Sequence, residues 1–497
     1  MKGHHTAPAA RPSPGTEPSP VDAAIGPSLP WLTPRRAITF VIAWLAAFTV
    51  GSLAISNPFA SEKSAGAAPD YWHVMYLHAL LIGMVGLIAL VVLEMFEGYC
   101  TRHVRVGIVL GVVAATVFTA VGGIWDTRVP GAEVAMWTQI AGFFALDEIL
   151  VFLILGFAEA WRRGARAARS LPFITALLAS VSMLIAAVMG HLAGWILEYG
   201  DHPAVLGHYA HFIGVPFATF RDNLIGSHSH EMAVASMALV LAAAVYRFGY
   251  REATGLTRAL SRTGMALTAV GIVAMTAVYV AMAATSWVVP TLFQSANGTN
   301  GVAGDDILTG VLVMGGGLLA LWPVVVRAAT SARARFGRLF PLAAAWAWTG
   351  ILIGVVVAGY WIEMHETFFG AGSASAKGAA NDAVFTWLHQ DVGLFLLPGL
   401  VAVLLAADRL AAHGYHGVIG WSAVGAITLL LLGGGVWVFV NPALHGTGYV
   451  LSTVGMALLG ICIVTTIVSG LLGDGKLRLL FPHGTHRPHR PAHAIHG

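Results

Sequence analysis

Two histidines and a glutamate stand at the mouth of one apolar run. The stretch reads Gly226-Ser-His228-Ser-His230-Glu231-Met and continues as AVASMALVLAAAV. Ionisable side chains are costly inside a bilayer, so they mark functional positions. Imidazole ligates iron, copper and zinc, and a carboxylate beside it can ligate iron or move protons. The pattern occurs twice more. Tyr76-Leu77-His78 leads into ALLIGMVGLIALVV, and Trp387-Leu388-His389 leads into QDVGLFLLPGLVAVLL. His78, His230 and His389 are separated by 152 and 159 residues. This spacing predicts a threefold internal repeat with one histidine at the equivalent place in each copy.

His78 and His389 follow aromatics (Trp72 and Tyr76; Phe385 and Trp387) and precede small residues (Gly83 and Gly86; Gly393). Two facing helices that each give one imidazole, with room for a flat macrocycle, would hold a bis-histidine haem. The expectation is that His78 and His389 ligate one haem, with Arg221 or Arg128 pairing its propionates. The plainer alternative is that each histidine hydrogen-bonds a neighbouring helix. His228 and His230 are two residues apart, so on an ideal helix they face nearly opposite ways and cannot share a metal. Either the helix starts between them, or they serve different sites. With His191, His365 and Glu198 they are the expected ligands of a second metal, non-haem iron or copper. Glu231, Glu363 and Glu366 are the expected catalytic carboxylates. Glu363 and Glu366 are i and i+3 and share a helix face, although solvated acids at a helix end would look the same. Asp147 and Glu148 sit inside an apolar segment and read as a proton path.

These residues need elements to hold them, and the composition says which. Of 497 residues 57% are hydrophobic and 10% charged, with a mean hydropathy of +0.75. Soluble domains carry about 25% charged residues. The chain reads as an all-α integral membrane protein of twelve transmembrane helices in three pseudo-repeats of four. The apolar segments fall near 37–57, 71–96, 104–125, 134–160, 170–195, 228–248, 262–285, 305–327, 341–361, 383–407, 420–440 and 447–472, each about the length a bilayer requires. The repeats would cover about 37–165, 170–335 and 338–475 within a membrane domain of residues 35–475. Residues 1–34 are rich in Pro, Ala and Ser and read as a disordered tail. Residues 476–497 form a basic, histidine-rich tail, a weak metal binder or simply solvated. The loop 196–227, with His202, His208 and His211, is long and is expected to fold over the outer face. Two cysteines, Cys100 and Cys462, argue against a disulfide framework or a thiolate cluster. No c-type haem attachment motif, nucleotide loop or nucleic-acid surface is present in the sequence.

Positive charge sets the orientation. Of 27 Lys and Arg, only Lys63, Arg128, Arg221 and Lys377 fall in one set of loops. The rest lie in the other set and in the two tails. Both termini are therefore expected in the cytoplasm, the membrane is the cytoplasmic (inner) one, and the histidine-bearing ends lie towards the outer face.

On these residues the chain resembles the catalytic subunit of the haem–copper oxidase superfamily, which includes nitric oxide reductases. The resemblance implies twelve helices in three groups of four, and a low-spin haem on helices 2 and 10, the places of His78 and His389. It also puts His230 where a second-metal ligand stands. The His228–Met232 stretch is similar to the His-x-His-Glu-Met motif of NnrS-type haem and copper membrane proteins, on a different helix. Two departures stand against the family pattern: segment 7 has no histidine pair, and segment 10 reads His389-Gln-Asp391 rather than His-x-His. The implied function is a haem-containing membrane oxidoreductase reducing a small diatomic such as NO or O2. Its partners would be the lipid bilayer, a small-molecule substrate and an electron-donor subunit or quinol. The alternative is a haem- or copper-binding or transport protein without turnover, in which the outer histidines gather metal. A reporter fused after Gly497 is expected to read as cytoplasmic; a periplasmic signal would reject the topology.

Overall fold

The computed structural model describes residues 37–44, 71–96, 99–128, 133–198, 204–285, 293–294, 301–302, 310–330, 339–357, 385–411, 413–435 and 445–480. Their helices, in chain order, are α1 (37–44), α2 (Tyr71–Val92), α3 (Arg102–Arg128), α4 (Glu133–Arg162), α5 (Leu171–Glu198), α6 (Ala204–Phe212), α7 (Phe217–Val245), α8 (Gly255–Thr285), α9 (Gly316–Thr330), α10 (Leu339–Ile351), α11 (Leu397–Leu410), α12 (His416–Gly435) and α13 (His445–Leu480). Wider π-helical turns precede α9 (Gly310–Gly315), follow α10 (Leu352–Val357) and precede α11 (Phe385–Leu396). A two-residue antiparallel pairing, Phe293–Gln294 with Gly301–Val302, is the one extended element among the described residues.

Among the described residues, nine helices are long and apolar enough to cross a bilayer, and the chain is an all-α membrane protein. Two shorter apolar helices, Leu81–Val92 and Val392–Asp408, occupy the places of the second and tenth expected segments. The sixth differs from expectation in its start. Pro216, with extended backbone (φ −56, ψ 138), opens α7 at Phe217 rather than at 228. Proline suits that position because its missing N–H would have no helical partner. The loop before it is correspondingly short. It holds α6, which ends at Gly214 in the left-handed region (φ 73) that glycine adopts without steric cost. Tyr209 of α6 donates its hydroxyl to Ala284 O at the end of α8 (2.5 Å), docking α6 there.

One helix lies inside the others. In α7, 89% of the apolar window is buried, against 33–56% in the other eight spans. It packs on α5 and α8 most extensively, and also on α2, α9 and α11. The three histidine-bearing segments, α2, α7 and Phe385–Leu410, all touch one another. At its far end α7 hands over to Arg247, whose Nε and Nη2 donate to Asp408 Oδ2 on α11 (2.7 and 2.6 Å). Outward faces carry residues such as Phe144, Val151 and Leu471, which suit lipid. Cys100 and Cys462 are buried and unbridged, and burial pushes the Cys100 thiol up to about 11. A thiol so placed is a packing residue, not a nucleophile.

In lipid, helices associate through close packing of small residues. Three consecutive helix pairs here do so through glycine: α3–α4 at Gly122 and Gly142, α8–α9 at Gly264 and Gly316, α12–α13 at Gly433. A Cβ at Gly433 would sit 2.8 Å from Gly448 O, and one at Gly264 would collide with the backbone of Gly316 and Ala320. A side chain at Gly264 must therefore push the two helices apart. Gly264→Leu is expected to cost at least about 1–3 kcal/mol, read as a lower melting temperature in detergent. Gly460→Ala, where a Cβ meets open space, should leave it unchanged.

Candidate functional site

The site is built on the first half of α7, where His228 and Glu231 leave the helix towards α5 and His230 towards α8. The helix runs unbroken through all of them. Of the two arrangements open from sequence, the structure therefore has the second: His228 and His230 serve different surroundings.

His228 faces α5 and α2. Its Nδ1 lies 2.8 Å from Ala186 O. A carbonyl oxygen only accepts, so Nδ1 carries the proton and Nε2 is the lone-pair nitrogen of the neutral ring. Gly190, one turn further along α5, makes the fit possible, because a Cβ there would collide with the His228 ring. On the other side stands His78 of α2, its ring centroid 6.2 Å away and its plane within 15° of parallel. Phe143 of α4 meets His78 edge-on at 5.6 Å.

His230 points towards α8. Its Nδ1–H donates to Gly226 O (2.9 Å), one turn back, and its ring lies 5.9 Å from that of Tyr279. His389 is near enough to His230 for the two to act on each other electrostatically. The His389 Nδ1–H donates to Val355 O (3.0 Å) in the π-helical turn after α10. Widened turns loosen the backbone ladder and leave carbonyls able to take such a donor.

Glu231 is fully buried. It lies one turn from His228 and faces the same helix, α5, where Ser182 Oγ donates to its Oε1 (3.0 Å). Thr276 of α8 donates in turn to Ser182 Oγ (2.9 Å). Glu231 Oε2 has no hydrogen-bond partner among the described residues.

His191, one residue beyond Gly190, turns instead to α4. Its Nε2–H donates to Asp147 Oδ2 (2.6 Å), and Phe144 stacks on its ring at 4.9 Å. Nε2 is thus engaged by a carboxylate. Asp147 Oδ1 is buried without a partner among the described residues, whereas Glu148 is exposed on the outer face of α4. Arg221, half-buried, pairs with its neighbour Asp222 (3.1 Å). The side chains of Arg128 and Glu198, and the whole of Glu363, His365 and Glu366, lie outside the described residues.

The structure therefore gathers His78, His228, His230, Glu231 and His389 around α7, with Asp147 and His191 beside them. Among the described residues no group of three His, Cys, Asp or Glu side chains is placed to hold a metal ion. What they offer is imidazoles in pairs. Ser182, Thr276, Gly190, Phe143 and Tyr279 complete the site and carry no signal in the sequence, since hydroxyls, glycines and aromatics are common in membrane helices. No protein-family model, curated protein or solved structure matches this chain.

Ser182→Ala would leave buried Glu231 without its donor. The expected loss is about 1–3 kcal/mol of stability, read by thermal unfolding in detergent. Adding Glu231→Leu should recover most of it, because removing both polar partners is far cheaper than removing one. A double variant no better than the single one would show that the hydroxyl–carboxyl bond is not what stabilises this contact.

Proposed function

We propose that this chain is a haem-binding oxidoreductase of the cytoplasmic membrane. In this reading it has twelve spans in three repeats of four, and both termini lie inside. His78, His228, His230 and His389 hold the redox centre near the outer face. The expected substrate is a small diatomic, NO or O2, and the electrons come from quinol or a donor subunit. The repeat reading is supported by the mutual packing of the three histidine-bearing segments and by the three glycine-packed pairs that follow or precede them.

One observation carries the proposal. His228, His230 and His389 each donate Nδ1–H to a backbone carbonyl. That bond fixes the ring and makes Nε2 the ligating atom, which is how metal-bound histidines are usually held. Imidazoles in pairs would suit a haem better than a bare ion, because the macrocycle would supply most of the iron's ligands itself. Bound haem would bring one-electron chemistry and affinity for diatomics. The chain's own residues would do the rest. Glu231, held by Ser182, and the Asp147–His191 pair are proton-holding groups beside the imidazoles. Glu198, Glu363, His365 and Glu366 keep the expected role of a second-metal and catalytic set.

A reduced-minus-oxidised spectrum of the purified protein, with metal analysis, tests this. Haem bands and stoichiometric iron are expected, with turnover of NO or O2 under a reductant. Haem or copper without turnover would favour the metal-binding alternative. Neither metal in the purified protein would reject the reading.

A further inference from the structure

We infer that the corner joining α4 to α5, together with the start of α8, binds the phosphate headgroup of an anionic phospholipid. This holds whether or not the chain binds haem. Between α4 and α5 the sequence runs Arg162-Arg163-Gly-Ala-Arg166-Ala-Ala-Arg169. Gly164, in the left-handed region (φ 75), turns the chain there. Ala165, Ala167 and Ala168 are buried and anchor a short 3-10 turn, while all four arginines are exposed. Ser170 closes the turn by donating its hydroxyl to Ala167 O (2.6 Å). The arginines thus stand on a packed, hydrogen-bonded backbone.

A second basic segment meets this one. The Tyr250 phenol contacts the Leu171 backbone at the start of α5, and Arg258 and Arg262 of α8, both exposed, lie near enough to act on it electrostatically. Arg162, Arg163, Arg169, Arg258 and Arg262 are within ion-pair distance of no acid among the described residues. The acids of these segments are Glu159, whose carboxylate accepts from Thr101 N (2.5 Å) and Thr101 Oγ (3.2 Å), and Glu252, which is exposed. Guanidinium groups with so little counter-charge suit an anion, and their planar fork matches phosphate oxygens. The position of the patch makes that anion a lipid headgroup. Gly190, against the His228 ring, lies 19 residues beyond Leu171, so about 29 Å along α5, close to the thickness of the hydrocarbon core. The arginines therefore sit at headgroup level on the membrane face opposite the histidines. Trp161 (54% exposed) and Leu256 (72%) flank them, as side chains entering a lipid interface would.

The test is native mass spectrometry of the purified full-length protein titrated with dioleoyl phosphatidylglycerol and, in parallel, dioleoyl phosphatidylcholine. Phosphatidylglycerol is expected to be retained several-fold more strongly. Arg169→Gln/Arg262→Gln should weaken its binding roughly 30-fold, about fivefold for each arginine, whereas the charge-matched pair Lys476→Gln/Arg478→Gln should not. Arg169→Lys/Arg262→Lys keeps the charge that guides insertion. It should still bind several-fold more weakly than wild type, because an ammonium lacks the fork. Equal retention of the two lipids by wild type, equal losses from both glutamine pairs, or wild-type affinity in the lysine pair would each overturn the inference and leave the arginines as diffuse charge that only orients the chain. Displacement of the lipid by millimolar inorganic phosphate would overturn it too, by showing a site for a free anion.

Discussion

Most of the apolar window of α7 is enclosed by other helices, so Glu231 within it cannot turn to water, although His230 stays exposed. That constraint on α7 organises the rest of the site. An unpartnered buried amide or hydroxyl already costs several kcal/mol, and an ion far more. α7 nevertheless carries two imidazoles and a carboxyl within one turn. Each is answered by a different group: the Ala186 carbonyl for His228, the Gly226 carbonyl for His230, the Ser182 hydroxyl for Glu231. α5 answers twice, because Ser182 and Ala186 are one turn apart and meet His228 and Glu231, themselves one turn apart. Matching two such rungs fixes the rotation and the height of α7 against α5 together.

Close approach makes those short bonds available. Gly190 admits the His228 ring. Where the π-helical segments meet, a Cβ at Gly354 would lie 2.9 Å from Leu388 O and 3.1 Å from Gly393 Cα. The backbone carrying His389 can therefore come near enough for Val355 to accept its proton. In lipid, where apolar burial gives little net drive between helices, such contacts set which helices associate. Small residues and a few polar bonds do here what a hydrophobic core does in water.

Hydropathy made the nine long apolar helices of the described residues legible, because a bilayer demands about 20 apolar residues and little else satisfies it. The His228–Glu231 stretch was legible too, since charge-capable groups stand out against an apolar background. Its geometry was legible only in part. Two-residue spacing correctly separated His228 from His230, but the register that aligns His230 with His78 pointed away from the neighbour His78 has. Repeat register describes position along a helix, not which way a side chain leaves it. The start of α7 was placed too late because Phe217–Ser227 mixes polar and apolar residues, and only Pro216 signals the turn. Ser182 and Thr276 were not legible at all. A hydroxyl in a transmembrane helix usually bonds its own i−4 carbonyl, as Thr276 also does with Ile272 (2.9 Å), so nothing in the sequence sets apart one that also bonds a neighbouring helix.

The partners of α7 share one more property, which concerns how the chain is made. Ser182, Ala186, Gly190 and Gly226 all precede His228 in the sequence, and so does His78. Synthesis runs from the N-terminus, and earlier elements are in place first. When α7 leaves the ribosome, the groups that answer its carboxyl and its two imidazole N–H bonds already exist. Tyr279 and Val355, which come later, add to a helix that α5 and its own preceding turn have already made tolerable to the membrane.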